Sequence, residues 1–344
     1  LPPLSGLART ANDGLYAFQP ERPDPGVVFV TVAEKSVNRL GRWPWPRDVL
    51  ARGLANLERA SVVVLDMVFS EREGAEPDRA LAGTLRAGGN SVCGFFLRGE
   101  GTAQVSAEQR RTLSLSALER VFTSQLQLPE APRAEVSIPA ILRACTLNAS
   151  FSTLADADAI FRRYPLAYVY DGLVYPSLGV QALRLHLNRD LELRPGRGGL
   201  EAKLGGQRIP IDGQGFTRLN FYPRDAYRSV PFVDVFAGQV EPSFFEGKIV
   251  VLGLAEADLE AIRSTPIGAI PGPLLHATFL SNYLTEDLLA QTCQEVQRTE
   301  TFLQRAGIEA DVAPRCLDEA APAAAGPLAR YVYLGGDAAH ATWL

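Results

Sequence analysis

The sequence lacks several features on which large classes of protein depend. No stretch approaches the roughly 18 consecutive apolar residues of a membrane helix, and the longest apolar runs, residues 62–69 and 249–255, have the length of strands. Residues 1–14 lack the basic start and apolar run of a signal peptide. Lys and Arg total 34 against 39 Asp and Glu, without a dense basic patch, so a nucleic-acid partner is not expected.

Common catalytic and cofactor motifs are also missing. The chain has no GxSxG, no Walker-type GxxxxGK[ST], no HExxH and no GxGxxG after the first predicted strand. Residues 336–340 (GDAAH) resemble the second flavin-binding motif of aromatic-ring hydroxylases, but the N-terminal dinucleotide fingerprint of those enzymes is missing. We therefore expect no cofactor and no enzymatic activity, and a flavin-dependent enzyme is the remote alternative.

Cysteine and histidine are scarce. The four cysteines form no CxxC pair and the three histidines show no ligand spacing, so no metal site is expected. Cys93 lies in an apolar run and is predicted to be a buried small hydrophobic side chain. Cys293 and Cys316 flank a polar segment; they could form a disulfide in an oxidising compartment or stay unpaired, and the sequence leaves both open.

The first hundred residues alternate between strand and helix patterns. Apolar runs at residues 27–33, 61–69 and 91–97 predict buried strands. Apolar positions at helical spacing predict helices over residues 47–60 and 78–87. Strands and helices in alternation are typical of a parallel sheet that is covered on both faces.

The middle of the chain continues that pattern with two additions. Residues 99–137 are polar, with a helical stretch near 107–126, and are interpreted as an insertion. Asp171-Gly172 between two β-type runs predicts a hairpin in an antiparallel region over residues 159–221. The predicted fold class is α/β, with a mainly parallel central sheet, helices on both faces and an antiparallel hairpin addition. The other predicted elements are helices over residues 138–144, 176–187, 233–237 and 276–284 and strands over residues 147–151 and 248–253.

Residues 290–344 differ from the body of the chain. They begin with a polar helical pattern and continue into an Ala/Pro-rich stretch at residues 320–327, which is typical of a linker or of disorder. We therefore divide the chain into a folded body, residues 1–289, and a tail of unknown role, residues 290–344.

The most unusual local feature is the stretch GRWPWPR at residues 41–47, between a predicted strand and a predicted helix. Its two prolines restrict the backbone, so Trp43 and Trp45 are presented rigidly. Such a loop, with Arg47, could line a ligand pocket or a subunit interface. Alternatively both indoles cap the hydrophobic core, and the residues alone favour this second interpretation.

Polar side chains follow the predicted strands where these strands end. Glu34 and Ser36 follow the first strand, and Asp66 lies near the end of the second. Because ligands of open α/β sheets bind beyond the carboxyl ends of the strands, we expect the two carboxylates to converge on one rim with Arg47 and Thr265. Asp66 is alternatively a capping carboxylate or an ion-pair partner of Arg47.

His276 follows the last apolar strand, at the start of a predicted helix. A lone histidine without matching Cys or His residues is more often a packed, hydrogen-bonded side chain than a metal ligand. The complete set of candidate ligand-binding residues is Glu34, Ser36, Trp43, Trp45, Arg47, Asp66, Thr265 and His276.

Taken in order, these features resemble the CHASE2 family of extracytoplasmic sensor domains over residues 8–289. The resemblance rests on the order and spacing of several short motifs along the chain. These motifs are residues 27–36, GRWPWPR at 41–47, VVLDMVFSE at 63–71 before Asp78, RRYPL at 162–166, YPSL at 175–178, Asn220-Phe221, VDVFAG at 233–238, GKIVVLG at 247–253, Thr265-Pro266, and Pro271-Gly272 before His276-Ala277.

The resemblance implies a non-enzymatic sensor of a bacterial signal-transduction protein. Such a domain lies outside the cytoplasmic membrane and is joined, through membrane segments outside this chain, to a cytoplasmic output such as a cyclase or a kinase. We therefore expect an extracytoplasmic, membrane-anchored homodimer with an unidentified small-molecule or protein ligand. That ligand must bind two states of the domain with different affinity. The alternative is a protein-interaction or dimerisation module without a small ligand.

Overall fold

A computed structural model describes most of the chain. The predicted tail, with Cys293, Cys316 and the GDAAH motif, lies outside the described residues. The described residues are Asp13, Tyr16, 26–99, 104–119, 121, 127–196, 199–255 and 262–289.

Within these residues the predicted α/β fold class is confirmed. The strands are β1 (Val27–Val32), β2 (Val62–Leu65), β3 (Ser91–Arg98), β4 (Arg133–Glu135), β5 (Leu147–Ser150), β6 (Arg163–Pro165), β7 (Ala167–Tyr170), β8 (Leu173–Pro176), β9 (Leu191–Gly196), β10 (Gly199–Leu204), β11 (Gln207–Ile209), β12 (Phe216–Arg218), β13 (Ser229–Pro231), β14 (Ile249–Leu254), β15 (Ile262–Thr265) and β16 (Gly268–Pro271). The α-helices are α1 (Glu34–Leu40), α2 (Arg47–Ala55), α3 (Ala75–Gly88), α4 (Ala107–Ser114), α5 (Pro139–Leu142), α6 (Leu178–Leu187), α7 (Phe232–Phe236) and α8 (Gly272–Leu284).

The central sheet has seven strands in the order β13-β1-β14-β2-β3-β4, and β5 also pairs with β3. All of its pairs are parallel except β3 with β4. Along the same strand β3, residues 92–95 pair with β5 and residues 96–98 with β4. Residues 133–135, within the segment interpreted as an insertion, therefore supply an edge strand of the central sheet.

Side chains of the central strands alternate between two hydrophobic layers, as the two-residue period of a strand requires. In β1, Val27 and Phe29 enter one layer, whereas Val28 and Val30 enter the other. Helices α6 and α8 cover the first layer, and α2, α3, α5 and α7 cover the second. Burial on both faces explains why these strands are continuous apolar runs.

Several helix boundaries differ from the predictions. Helix α1 was not predicted. Helix α8 begins at Gly272 instead of residue 276, because Pro273 in its first turn loses no helical hydrogen bond. Helix α4 ends at residue 114 instead of 126, because the chain leaves the helix and the Leu118 N–H donates to the Val174 carbonyl at 2.8 Å. Pro176, predicted to open α6, instead ends β8.

The predicted hairpin is confirmed. Strands β7 and β8 are antiparallel and are joined by Asp171 and Gly172, whose φ angles are 50° and 74°. Positive φ at both central residues is the geometry of a type I′ turn. The sheet β9-β10-β11 and the pairs β12-β6 and β15-β16 are also antiparallel.

Cys93 in β3 forms a disulfide with Cys145, which follows α5, and their Cα atoms are 5.9 Å apart. The predicted burial of Cys93 is confirmed, at 1% exposure, whereas its pairing with Cys145 was not predicted. The spacing of cysteines along a chain does not determine their pairing. The parallel pairing of β3 with β5 brings Cys145, two residues before β5, next to Cys93.

Candidate functional site

The carboxyl end of β2 lies beside α8, where two of the candidate residues meet. Asp66 follows β2, His276 lies in α8, and both side chains are buried. His276 Nε2 is 3.5 Å from Asp66 Oδ2. The structure therefore brings a carboxylate and an imidazole together at the edge of the sheet where ligands of α/β proteins bind.

Tyr164 in β6, which was not among the predicted site residues, completes this buried cluster. Its hydroxyl oxygen is 2.6 Å from His276 Nδ1 and accepts a hydrogen bond of 2.9 Å from the Gly179 N–H. A hydroxyl oxygen has two acceptor lone pairs, so the contact between Tyr164 and His276 forms with either tautomer of the imidazole.

Burial keeps the pKa values of His276 and Tyr164 away from neutral pH. Loss of contact with water lowers the pKa of His276 to about 3; the charge of Arg263 acts in the same direction, and a hydrogen bond with the Phe151 backbone opposes both. Burial likewise raises the pKa of Tyr164. General acid–base catalysis works best when the pKa lies near the operating pH, so His276 and Tyr164 do not match an acid–base pair.

Two close backbone approaches seal the buried cluster. A Cβ atom on Gly253 in β14 would lie 2.4 Å from Pro273 and 3.5 Å from the Asp66 Cβ. A Cβ atom on Gly94 in β3 would lie 2.4 Å from the Phe151 ring. Because both positions are glycine, the chain packs directly over the strand ends, and His276 is only 1% exposed.

The GRWPWPR loop packs onto the layer that α2 and α7 cover. Trp45 is 3% exposed, stacks on Phe232 with 5.2 Å between ring centroids, and donates from Nε1 to the Gly41 carbonyl at 2.7 Å. Trp43 is half-buried and meets Trp45 edge-on, at 5.1 Å between centroids. Of the two roles that the sequence left open, these contacts match the core cap.

Arg47 is buried at the start of α2. Its guanidinium pairs with Asp78 of α3 and donates to the Glu71 carbonyl, while its backbone N–H donates to the Glu73 carboxylate at 3.0 Å. From the sequence, Asp66 is a candidate ion-pair partner of Arg47. The structure instead pairs Arg47 with Asp78, because α3 packs against α2 and brings its first turn beside Arg47.

Of the three other candidate residues, Ser36 and Thr265 make local hydrogen bonds, whereas Glu34 faces solvent. Glu34 is exposed at the first position of α1. The buried Ser36 hydroxyl accepts a hydrogen bond of 3.2 Å from the Val233 N–H, which joins α1 to α7. The buried Thr265 hydroxyl donates to the Gly268 carbonyl at 2.6 Å within the β15-β16 hairpin.

Arg162, just before β6, is a buried cation that binds three carboxylates. Its side chain is 5% exposed, and oxygens of Asp13, Asp156 and Asp158 lie 2.6, 3.1 and 2.8 Å from its nitrogens. Burial lowers the pKa of Arg162, but the hydrogen bonds that it donates to these carboxylates raise the pKa above its ordinary value. Arg162 therefore anchors the start of the chain, through Asp13, to the body of the domain.

The segment formed by β12 and the residues after it, 216–222, also contacts the start of the chain. The Tyr16 hydroxyl donates to the Leu219 carbonyl at 2.9 Å. The Leu219 N–H donates to the Arg162 carbonyl, also at 2.9 Å. The 216–222 segment is thus held by Tyr16 directly and is joined to Arg162, the residue that holds Asp13.

The end of the folded body contacts the same segment from α8 and the turn after it. Asn282 exchanges two hydrogen bonds of 2.8 Å with the backbone of Asn220. The Asp287 carboxylate accepts hydrogen bonds from the Asn220 side-chain amide and the Tyr222 hydroxyl. Both ends of the described chain therefore meet at the 216–222 segment.

The comparison with known families agrees with this fold. The model of the CHASE2 domain family matches residues 2–306. The chain belongs to the CHASE2 family. CHASE2 domains are extracellular sensor domains and are not catalytic. The chain has no significant match among curated proteins or among solved structures.

The CHASE2 match includes both ends that meet at the 216–222 segment. Sequence reasoning did not assign a role to Arg162, Asp287 or Tyr16. Arg162 could have been selected from the sequence, because RRYPL at residues 162–166 is one of the motifs that resemble the family. Asp287 and Tyr16 lie in no motif, and only their contacts reveal them.

Two further properties of this CHASE2 domain concern metals and membranes. The described residues contain no group of three or more His, Cys, Asp or Glu side chains that could hold a metal ion. Among the helices in the same residues, none combines the length and the hydropathy that a membrane crossing requires.

The neutral His276 predicts how the stability of the CHASE2 domain changes with pH. Its pKa is about 3 when folded and near the ordinary 6.5 when unfolded, so the unfolded state binds the proton first as pH falls. The contribution of the neutral His276 to the free energy of unfolding is therefore fully present above pH 6.5 and is lost progressively as the pH falls from 6.5 to 3. We expect His276→Asn, whose amide oxygen can accept the Tyr164 proton, to flatten the dependence of the unfolding free energy on pH in this window.

Urea denaturation at several pH values measures this slope. His186→Asn is the control, because His186 is only partly buried and bonds to the Ser61 hydroxyl at 2.7 Å. Its slope should change less than that of His276→Asn. Equal slopes for His276→Asn and the wild type would show that His276 does not stay neutral in the folded domain.

Proposed function

We propose that this CHASE2 domain senses a signal outside the cytoplasmic membrane and passes it on as a change in the relative position of its two chain ends. Sensing is the general role of the family. The Cys93–Cys145 disulfide supports an extracytoplasmic location, because disulfides persist in oxidising compartments and are rare in the cytosol. Segments outside this chain would supply the membrane anchor.

The observation that carries the proposal is that one short segment holds both ends. Tyr16 binds the 216–222 segment at Leu219. From the other end, Asp287 binds it, and Leu289 forms a β-bridge with Arg218. A displacement of the 216–222 segment would therefore change the contacts of both ends together.

Helix α8 connects this junction to the buried cluster at the carboxyl edge. His276 lies in α8 beside Asp66, and Asn282, six residues later in the same helix, holds the 216–222 segment. A helix moves as a rigid unit over such a distance. A shift of α8 at His276 would therefore displace Asn282 and, with it, the junction of the two ends.

Strand β6 provides a second connection. It pairs with β12, with Tyr164 opposite Thr217. Tyr164 contacts His276, and the preceding Arg162 holds Asp13. The buried cluster is therefore tied to the N-terminal contact through β6, as it is tied to the C-terminal contact through α8.

Asp66, Thr265 and His276 stay our candidate ligand-binding residues; because all three are buried, a ligand would reach them only if the chain packed over the strand ends moved aside. Asp66 contacts His276 of α8, and the β15-β16 hairpin, with Thr265 at its turn, leads into that helix. Trp45 and Arg47 are engaged in the core instead. A ligand there would act only if it bound one position of α8 more tightly than the other, and such couplings typically amount to about 1–3 kcal/mol.

Asp287→Ala tests the coupling of the two ends. It removes the acceptor of the hydrogen bonds from Asn220 and Tyr222, which should cost about 1.4 kcal/mol locally. We expect amide hydrogen exchange to rise by roughly tenfold across the 216–222 segment and at residues 162–164, as well as around the substitution. In the full-length protein we expect an altered response of the output.

Asp225→Ala is the matched control, because it removes an exposed carboxylate three residues beyond the 216–222 segment. Its exchange pattern and output should equal those of the wild type. If Asp287→Ala changes exchange only at residues 282–289, the ends are not coupled. A full-length protein that carries Asp287→Ala and responds normally would exclude this route of transmission.

A further inference from the structure

The 216–222 segment contains a buried hydroxyl group that the described residues leave without a hydrogen-bond partner. It belongs to Thr217, the middle residue of β12, which is 0% exposed. The hydroxyls of Thr265 and Thr278, which are also buried, each donate to a backbone carbonyl, at 2.6 and 2.8 Å. Burying a polar group without a partner costs the free energy of removing it from water, so Thr217 destabilises the arrangement in which it is buried.

The neighbours of Thr217 in the strand pair do not offer the missing partner. Leu219, two residues later and therefore on the same face, is apolar and fully buried. Tyr164, which stands opposite Thr217 in β6, uses its hydroxyl for its contacts with His276 and the Gly179 N–H. Valine has nearly the shape of threonine, so it would fill this place without the cost of the hydroxyl.

The β6-β12 pair is short. It consists of three residue pairs, and one of them contains Pro165, which has no N–H to donate. The N–H groups of Leu166 and Leu219 donate across the two ends of the pair, each at 2.9 Å. Two isolated strands of this length are only marginally stable as a pair, and neither belongs to the central sheet, so β12 can separate from β6 while the central sheet stays folded.

We propose that Thr217 makes the 216–222 segment a switch with two positions. In the described position β12 pairs with β6 and buries the hydroxyl; in the other position β12 has separated from β6 and water binds the hydroxyl. Because burial of Thr217 costs free energy only in the first position, it brings the two positions closer in free energy and reduces what a signal must supply. The inference rests on the proposed function, since it names the contact that opens when the segment moves.

Thr217→Val tests the switch, because it removes the hydroxyl and nearly keeps the shape of the side chain. The equilibrium constant of unfolding, measured in urea, should fall about tenfold. In the wild type the amides of Leu166 and Leu219 should exchange hydrogen faster than those of β14, because they open locally. In the variant their exchange should slow about tenfold, since opening the pair no longer hydrates a hydroxyl.

Thr278→Val is the matched control. Thr278 is also 0% exposed and the same atoms change, but its hydroxyl donates to the Leu274 carbonyl. Its removal leaves that bond unmade, so the equilibrium constant of unfolding should rise about tenfold, opposite in direction to Thr217→Val. A rise in stability for both variants would show that Thr217 is not distinctive and would count against the switch.

A Thr217→Val variant that is no more stable than the wild type would overturn the proposal, because the hydroxyl would then have a partner such as an ordered water. So would a more stable variant in which Leu166 and Leu219 exchange as in the wild type, since the hydroxyl would then stay buried in both positions. The experiment reports on the β6-β12 pair alone. It can therefore fail while Asp287→Ala still shows that the two ends are coupled, and it can succeed without that coupling.

Discussion

Replacing Cys93 and Cys145 together by alanine should lower the free energy of unfolding by about 4 kcal/mol. The disulfide closes a loop with a sequence separation of 52 residues, and its removal returns the corresponding conformational entropy to the unfolded chain. Guanidinium denaturation of C93A/C145A and of the wild type, under oxidising conditions, measures this difference.

The reductant provides the matched control for this disulfide. Reduced wild type should unfold at a denaturant concentration close to that of C93A/C145A, and reductant should not affect the variant. Four residue pairs align β3 with β5 through backbone hydrogen bonds, so we expect the variant still to fold. A variant as stable as the oxidised wild type would mean that the bond does not constrain the unfolded chain.

Replacing Arg162 by leucine should destabilise the domain by about 3–5 kcal/mol. The side chain is 5% exposed, and without it Asp13, Asp156 and Asp158 would lie close together without their shared cation. Arg162→Lys should fall between leucine and the wild type, because one ammonium cannot reproduce the forked contacts of a guanidinium. Chemical denaturation near pH 7 measures both variants.

The control for Arg162 is Arg194→Leu, which breaks the exposed pair with Glu201 and should cost less than about 1 kcal/mol.

The dependence of stability on pH gives a second check of the contacts of Arg162. The hydrogen bond from Arg162 lowers the pKa of Asp158 from 3.8, so its contribution is present above this pH and is lost as pH falls further. The difference between the wild type and Arg162→Leu should therefore shrink below pH 4, and a constant difference would contradict the role of these carboxylates.

The strands of the central sheet could be predicted because they are buried on both faces. Runs such as residues 62–65 and 249–254 are apolar without alternation, and each is too short for a core helix. The Asp171-Gly172 hairpin could be predicted because its turn needs residues that accept positive φ. These signals are local, so a single sequence contains them.

Helix ends and the edge strand β4 were harder to predict. Residues 133–135 are polar and short, and they form a strand only because β3 offers an unpaired edge beyond β5. Helix α4 stops at residue 114 because a contact with β8 takes over the backbone hydrogen bonding. The end of α4 and the formation of β4 therefore depend on contacts with residues that are distant in the sequence.

In the candidate site, too, some residues could be selected from local sequence signals and others only from contacts in the fold. Asp66 and His276 could be selected because one ends a predicted strand and the other follows the last one. Tyr164, which contacts His276, could not, since 112 residues separate the two along the chain and only the fold brings them together. Trp45 and Arg47 were visible as unusual residues, but only the packing of α2 against α3 and α7 showed that they serve the core.

The sequence by itself determined the α/β class, the buried strands, the hairpin turn and the membership of the CHASE2 family, because hydrophobic pattern, turn residues and ordered motifs are all read along the chain. The tertiary structure alone decided that Cys93 pairs with Cys145, which carboxylates surround Arg162, and that both ends of the described chain meet at the 216–222 segment. These are contacts between residues from 52 to more than 200 positions apart, with separations of 52, 149 and 203 for the disulfide, the Arg162–Asp13 pair and the Tyr16–Leu219 hydrogen bond. Their energy depends on distance in space, and the fold sets that distance.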